Sequence, residues 1–227
     1  MVMHPYPALA LAALLLLPAL GGCAGDKPTR LYVLSAMPDK PGSNSRQGIP
    51  IGVGPVSLPK YLDRPQIITR MNGNSLSQAD LDQWGGDLND NITRVLASNL
   101  SELLKTDRVS LYPWKDRAPV DYEVTLDVTR FEQDADGSVV LSVFWSIVNP
   151  NDGKVLLMRR SDYRDTHGVA KASTSVTSSG TSTPAATTGS SAPDGTRPYD
   201  ALVAAMSRDL EMLSRDIAAA IIALRGS

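Results

Sequence analysis

The alternation of apolar and polar positions is cleanest over residues 120–131. Val120, Tyr122, Val124, Leu126 and Val128 fall on one side, with Asp121, Glu123, Thr125, Asp127 and Thr129 on the other. A repeat of two predicts a β-strand with one buried and one solvated face. The turn residues Asp134-Ala135-Asp136-Gly137 lead into an apolar run at 139–148. Asn149-Pro150-Asn151-Asp152-Gly153 then leads into 154–163, which predicts an antiparallel meander of three strands. Shorter runs at 31–35, 49–58 and 108–112 also read as strands. Asn72-Gly73, between 65–71 and 74–76, has the composition of a hairpin turn.

Two stretches carry the helical repeat instead. Over 77–105, Leu88, Ile92, Val95, Leu96, Leu100 and Leu103 share one face, with Ser77 as N-cap and Asp80 in an acidic first turn. Gly85-Gly86 divides this stretch into a short and a long helix. Near the C-terminus Asp200 is placed to cap a helix in which Val203, Met206, Leu210, Leu213, Ile217, Ala220 and Leu224 recur at steps of three and four. That seam suits packing on the sheet of its own domain; the competing reading is a coiled coil with a partner, which three heptads barely support. The order of elements predicts an α/β (α+β) fold: a single mostly antiparallel or mixed sheet with two main helices packed on one face.

Two segments stand outside this domain. Residues 170–196 are almost entirely small and polar, with Val176 the one sizeable apolar side chain. Such a segment cannot bury enough surface to offset its ordering entropy, so it reads as a disordered Ser/Thr/Ala-rich insertion; a glycan-bearing or wall-spanning stalk is the functional alternative. Residues 8–20 are nearly pure hydrocarbon, too short to span a bilayer with ease but of the length of a signal-peptide core. Residues 1–7 contain no Lys or Arg, a departure from the usual basic leader.

Composition narrows the chemistry. The chain has 227 residues, 42% of them hydrophobic, and a net charge of −2. Lys and Arg are spread along it, so no basic stripe points to nucleic acid. Its one cysteine, Cys23, closes no intramolecular disulfide and builds no zinc site. Leu20-Gly21-Gly22-Cys23 instead has the form of a lipobox, in which small residues admit a peptidase and the thiol receives a diacylglyceryl group. On this reading residues 1–22 are the signal peptide, 23–30 a lipidated tether and 31–225 the folded domain, held to a membrane by acyl chains worth about 0.8 kcal/mol per buried CH₂.

Catalytic patterns are weak. Gly52-Val53-Gly54 lacks the following helix, the third glycine and the Lys-Ser pair of a nucleotide loop. His167 has Asp162, Asp165 and many serines nearby, but it adjoins the flexible insertion, where a triad base could not be held in place. No metal or cofactor is implied, and the chain reads as a non-enzyme. Asn91-Ile92-Thr93 and Asn99-Leu100-Ser101 match glycosylation acceptors but lie on a predicted helix, so they read as incidental. Trp84 and Trp145 read as core residues. The candidate docking residues are Tyr61, Asp63 and Arg64, in the proline-stiffened segment 58–70, and Trp114, at a strand-closing turn. The plainer reading of the first three is a crossing loop stapled by an Asp63–Arg64 ion pair.

The stretches GVGPVSLPKYLDRPQIITR, NSLSQADLDQWGGDLNDNITRVLASNLSELL, VSLYPW and YDALVAAMSRDLEMLSRDIAAAI together resemble the ABC-type transport auxiliary lipoproteins. Within them they resemble the intermembrane transport lipoproteins of paraquat-inducible (PqiC-like) type. Pro59 to Ile67 is the most specific block. The resemblance implies a non-enzymatic periplasmic domain anchored by lipid to the outer membrane, and Ala24 after the cysteine agrees with that sorting. It implies a mammalian-cell-entry (MCE) domain protein of a lipid-carrying tunnel as partner. A homo-oligomer is left open. The rival reading is an outer-membrane lipoprotein that regulates a peptidoglycan synthase. A hydrolase using His167 is the weakest.

Overall fold

The computed structural model describes residues 28–38, 48–114, 119–166 and 197–226. The lipobox, Cys23, His167 and the segment 170–196 lie outside these residues. The element order is β1 (Arg30–Tyr32), β2 (Ile51–Ser57), β3 (Gln66–Arg70), β4 (Leu76–Trp84), α1 (Leu88–Leu104), β5 (Val109–Leu111), β6 (Tyr122–Gln133), β7 (Val139–Val148), β8 (Val155–Asp165) and α2 (Asp200–Arg225).

Eight strands form one mixed, curled sheet. The predicted meander is present: β6, β7 and β8 pair antiparallel along nearly their whole length. Its turns close as their composition dictates. Asp136 accepts the Ser138 amide, Asn149 accepts the Asn151 amide, and Gly137 and Gly153 take positive φ. The other edge of β6 is shared. β2 runs parallel to its first half, from Ile51 beside Tyr122 to Ser57 beside Asp127. β3 meets only its end, at Thr69 beside Gln133. The 58–65 segment leaves that edge between the two.

Helix α1 packs on β2 and β5, α2 packs on β6, β7 and β8, and the helices pack on each other. The seam residues Val203, Met206, Leu210, Leu213, Ile217 and Ala220 are buried, so the C-terminal helix closes on its own domain. Asp200 is the first helical residue rather than the cap, which is Tyr199. Asn99 is fully buried; its amide donates to Ser214 at 3.1 Å and its oxygen accepts the Met37 amide at 2.8 Å. It ties α1, α2 and the leg after β1 together, which leaves no room for a glycan.

The predicted helix over 77–105 is corrected. Its first part is β4, and Ser77 caps nothing. The hairpin signal decides this: the Asn72 side chain accepts the amides of both Asn74 and Ser75, closing a turn that returns the chain along β3. Once β4 lies in the sheet, Asp82 is buried where Arg30 and Tyr32 of the pairing region reach it. The Gly85-Gly86 break therefore separates strand from helix. The regular alternation of β6 also breaks, at a bulge between Val128 and Arg130 that turns Phe131 into the core.

Candidate functional site

The structure separates the candidate docking residues into two groups. Tyr61 belongs to the framework. Its hydroxyl is 2.9 Å from Glu132 Oε2 and 3.3 Å from the Thr129 carbonyl, so it covers the stretch of β6 edge that β2 and β3 leave unpaired. Burial, and then the negative charge of Glu132, push its pKa up to about 12. Glu132 is fully buried and also accepts Arg70 Nε at 2.9 Å, Arg130 Nε at 2.9 Å and the Phe131 amide at 3.0 Å. A buried carboxylate is tolerable only when donors surround it in this way.

Asp63 and Arg64 are exposed and do not pair with one another. Asp63 meets Lys60 at 3.3 Å, and Arg64 donates to Gln78 at 3.0 Å. The expected Asp63–Arg64 staple is thus replaced by two separate surface contacts, because the turn at 59–64 closes on backbone bonds from Leu62 and Asp63 to the Pro59 carbonyl. Exposed pairs of this kind contribute little to stability.

Trp114 lies elsewhere, on the face of the sheet opposite the two described helices. Its ring stands edge-on to Tyr112, with centroids 5.7 Å apart and planes at 89°. The bed beneath it is made of glycine. A Cβ on Gly52 would come within 2.8 Å of the Trp114 ring, and one on Gly54 within 2.6 Å of Tyr112 Cβ. Gly54 also sits at φ +110°. The Gly-Val-Gly run is therefore neither a nucleotide loop nor a random weakness in a strand; it is where two aromatics settle against the backbone. Tyr61 and Trp114 face β6 at least six residues apart, about 20 Å along the strand.

Strand register extends this aromatic site across the same face. Gly52, Glu123, Val148 and Val155 form one cross-sheet row. The next holds Thr125, Ser146 and Met158, and the next Ser57, Asp127, Phe144 and Arg160. Tyr112, Val155 and Phe144 are exposed, Met158 is 65% exposed, and the Arg160 guanidinium stands 5.7 Å from the Phe144 ring centre. The opposite face of these strands is the core under the helices. Of the candidate docking residues, Trp114 is the one that lies on this face. The signal for the other residues of this face is present in the alternation, which puts Phe144, Ser146 and Val148 opposite Trp145 and Ile147, but only the register shows that they share a face with Trp114.

Gly52→Val is expected to displace Trp114 and leave β2 paired. The fold should survive with a modest loss of stability, while tryptophan emission shifts to the red and access of a soluble quencher increases. Unchanged emission and quenching would show that Trp114 does not depend on the glycine bed.

Asp209 is the exception to good pairing. It is fully buried on α2, and neither carboxylate oxygen has a hydrogen-bond partner among the described residues. Burial, with a further push from Asp165 and a smaller pull from Arg208, raises its pKa to about 7. By contrast Asp82, held by Arg30 and Tyr32, lies below the usual carboxylate range. Among the described residues no group of three or more His, Cys, Asp or Glu is placed to hold a metal ion. No described helix is long and apolar enough to cross a membrane. A hollow of about 450 Å³ lies between the 31–38 leg and the start of α2, open to solvent.

The profile of a family described as "ABC-type transport auxiliary lipoprotein component" matches residues 32–218. The fold is shared with a crystal structure of an uncharacterized protein whose source is not stated, at 18% identity and a TM-score of 0.59, covering 86% of this chain and 99% of that one. It is shared too with protein XCC0632 from Xanthomonas campestris, at 15% identity and a TM-score of 0.58, covering 84% and 93%. At these identities the likeness is one of fold. No curated protein matches the chain.

Proposed function

Starting from the fact that this chain belongs to the ABC-type transport auxiliary lipoprotein family, matched over residues 32–218, we propose that it is an outer-membrane lipoprotein that docks an MCE-domain partner of an intermembrane lipid transporter. The family is one of auxiliary components, which suggests a non-enzymatic role. The finer reading adds three elements. Residues 1–22 direct export, Cys23 becomes the lipidated first residue, and the folded domain presents a docking surface to a protein arriving across the periplasm.

The observation that carries the docking role is the Tyr112–Trp114 pair on Gly52 and Gly54, on the same sheet face as the exposed Phe144, Met158 and Val155. Aromatic and methionine side chains are favoured anchors of protein interfaces. A sheet face without covering helices offers them without rearrangement of the core. Asp63 and Arg64 form a separate, polar rim on the loop before β3. Tyr61 supports that rim from below, through Glu132.

The test is recovery from envelope membranes. After gentle solubilisation the full-length protein should bring down an MCE subunit. Trp114→Ala combined with Phe144→Ala should reduce that recovery severalfold with an unchanged melting curve. Recovery with a peptidoglycan synthase and no MCE subunit would sink the proposal. Cys23→Ser should abolish lipid labelling and release the mature domain from the membrane fraction.

A further inference from the structure

We propose that the β1 end of the domain is a membrane-contacting surface, on which Leu31 and Val33 enter the outer layer of a phospholipid bilayer. The proposal rests on the lipid-anchor reading of Cys23. It goes further, because an anchor alone requires no part of the folded domain to touch lipid.

The leg that leaves the tether is extended, so its side chains alternate. Tyr32 and Leu34 turn inward and are buried, while Leu31 and Val33 turn outward and are 55% and 56% exposed. Single exposed aliphatics are ordinary on protein surfaces. Two on one side of the same leg, with Arg30, Arg197 and the half-buried Tyr199 nearby, are a more specific arrangement. Arg30 reaches Asp82, and Arg197 donates to the Leu31 carbonyl while standing 5.9 Å from the Tyr32 ring centre. Tyr199 packs edge-on to Tyr32 at 6.0 Å. Aliphatics at the centre, with two arginines and Tyr199 beside them, suit the passage from acyl chains to headgroups.

Chain length identifies the occupant. Seven residue steps separate Cys23 from Arg30. At full extension they span about 24 Å, less than the thickness of the bilayer's own hydrocarbon core. An acylated Cys23 therefore keeps Arg30, and with it Leu31 and Val33, within roughly 24–30 Å of the lipid surface, at high local concentration. The hairpin tip at Gly73 lies at the far end of β4, eight residues from the end of that strand beside β1. A side chain there meets nothing within 4 Å among the described residues, and the length of β4 separates it from the β1 end.

The experiment uses the full lipidated chain in vesicles of phosphatidylethanolamine and phosphatidylglycerol. Cys23 is the chain's one cysteine, and once acylated it does not react, so Val33→Cys and Gly73→Cys can each be spin-labelled uniquely. At position 33 the label should collide often with oxygen and rarely with a nickel chelate, the signature of lipid immersion. At position 73 nickel access should be severalfold higher. Low access to both reagents at 33 would place the label within the protein, and equal nickel access at 33 and 73 would place it in water. Either result in vesicles that still float the protein overturns the contact surface and leaves the anchor standing. Failure to float overturns the anchor, and the contact surface with it.

Discussion

Asp209→Asn is expected to raise the melting temperature at pH 8 by several degrees and to flatten the fall in stability between about pH 4 and pH 7. The wild-type carboxyl sits unpaired inside the domain, facing Asp165 and Tyr163 of β8, with Arg208 and Asp216 beside it on its own helix. Its pKa rises from 3.8 to about 7, with burial as the largest cause. The sign follows directly. Between these values the folded chain binds a proton that the unfolded chain has lost, so stability is full below the lower value and is lost as pH rises through the upper one. A rise of about three units corresponds to ~4 kcal/mol across that window.

The asparagine carries no charge to bury, though its amide still lacks a partner at a cost of about 1–3 kcal/mol. The net gain at pH 8 is therefore smaller than the full window, on the order of 1–3 kcal/mol, or 2–4 °C for each kcal/mol. Asp209→Leu should gain more if the site accepts its shape. Denaturant melts of the three proteins at pH 5, 6, 7 and 8 provide the check. A wild-type protein with no slope over that range, or an asparagine variant less stable at pH 8, would refute the assignment. The residue is costly where it stands, on the helix face that closes the core against β8.

The second large effect is expected at the other buried carboxylate. Glu132→Ala should destabilise the domain by roughly 3–5 kcal/mol, because it leaves Arg70 and Arg130 without the acceptor that both share. Glu132→Gln should cost less, since one amide oxygen still accepts while the net charge of the cluster changes. The loss should be accompanied by a fall in the Tyr61 pKa from about 12, because one of the two causes of its rise is removed and burial alone remains. Ultraviolet titration of the tyrosines, with Tyr61→Phe to assign the signal, measures it. A glutamate-to-alanine variant as stable as the wild type would mean that the two arginines find other partners, Arg130 at Asp134 and Arg70 at the Gly73 carbonyl.

Comparing these two residues shows what kind of information each level holds. The alternation in β6 and the steps of three and four in α2 were legible in the sequence because each reports a periodic division between core and solvent. Leu126, Val128, Leu210 and Leu213 are buried where that division puts them. Asp209 and Glu132 violate it. Asp209 occupies a core position that periodicity assigns to an apolar side chain, and Glu132 is drawn inward after the β6 bulge, where Tyr61 and Arg70 from other segments join Arg130 and the Phe131 amide of its own strand. No local pattern states whether a buried carboxylate will find donors; that depends on strands far apart in the chain.

The helix drawn over 77–105 went wrong at its start for a related reason. Residues 77–84 hold enough polar side chains to pass for an exposed helical turn. The Asn72 turn and the pairing with β3 commit them to the sheet, and Asp82 becomes acceptable inside once Arg30 arrives from 52 residues away. Among the candidate docking residues, Tyr61 was assigned by chemistry to the surface and by packing to the framework. Trp114 lies on a face that it shares with Phe144 and Met158, which only the register of β6, β7 and β8 shows.

The sequence by itself determined the mixed α+β class, the meander, the two helical faces and the lipobox form around Cys23, because these depend on local composition and on periods of two and 3.6 residues; the family followed from the likeness of motifs such as Pro59–Ile67. Only the tertiary structure decided which face of the sheet stays uncovered, that Gly52 and Gly54 form a bed for Trp114 and Tyr112, and which buried carboxylate is satisfied. Those outcomes depend on long-range pairing, where one residue of register or one bulge moves a side chain from core to solvent.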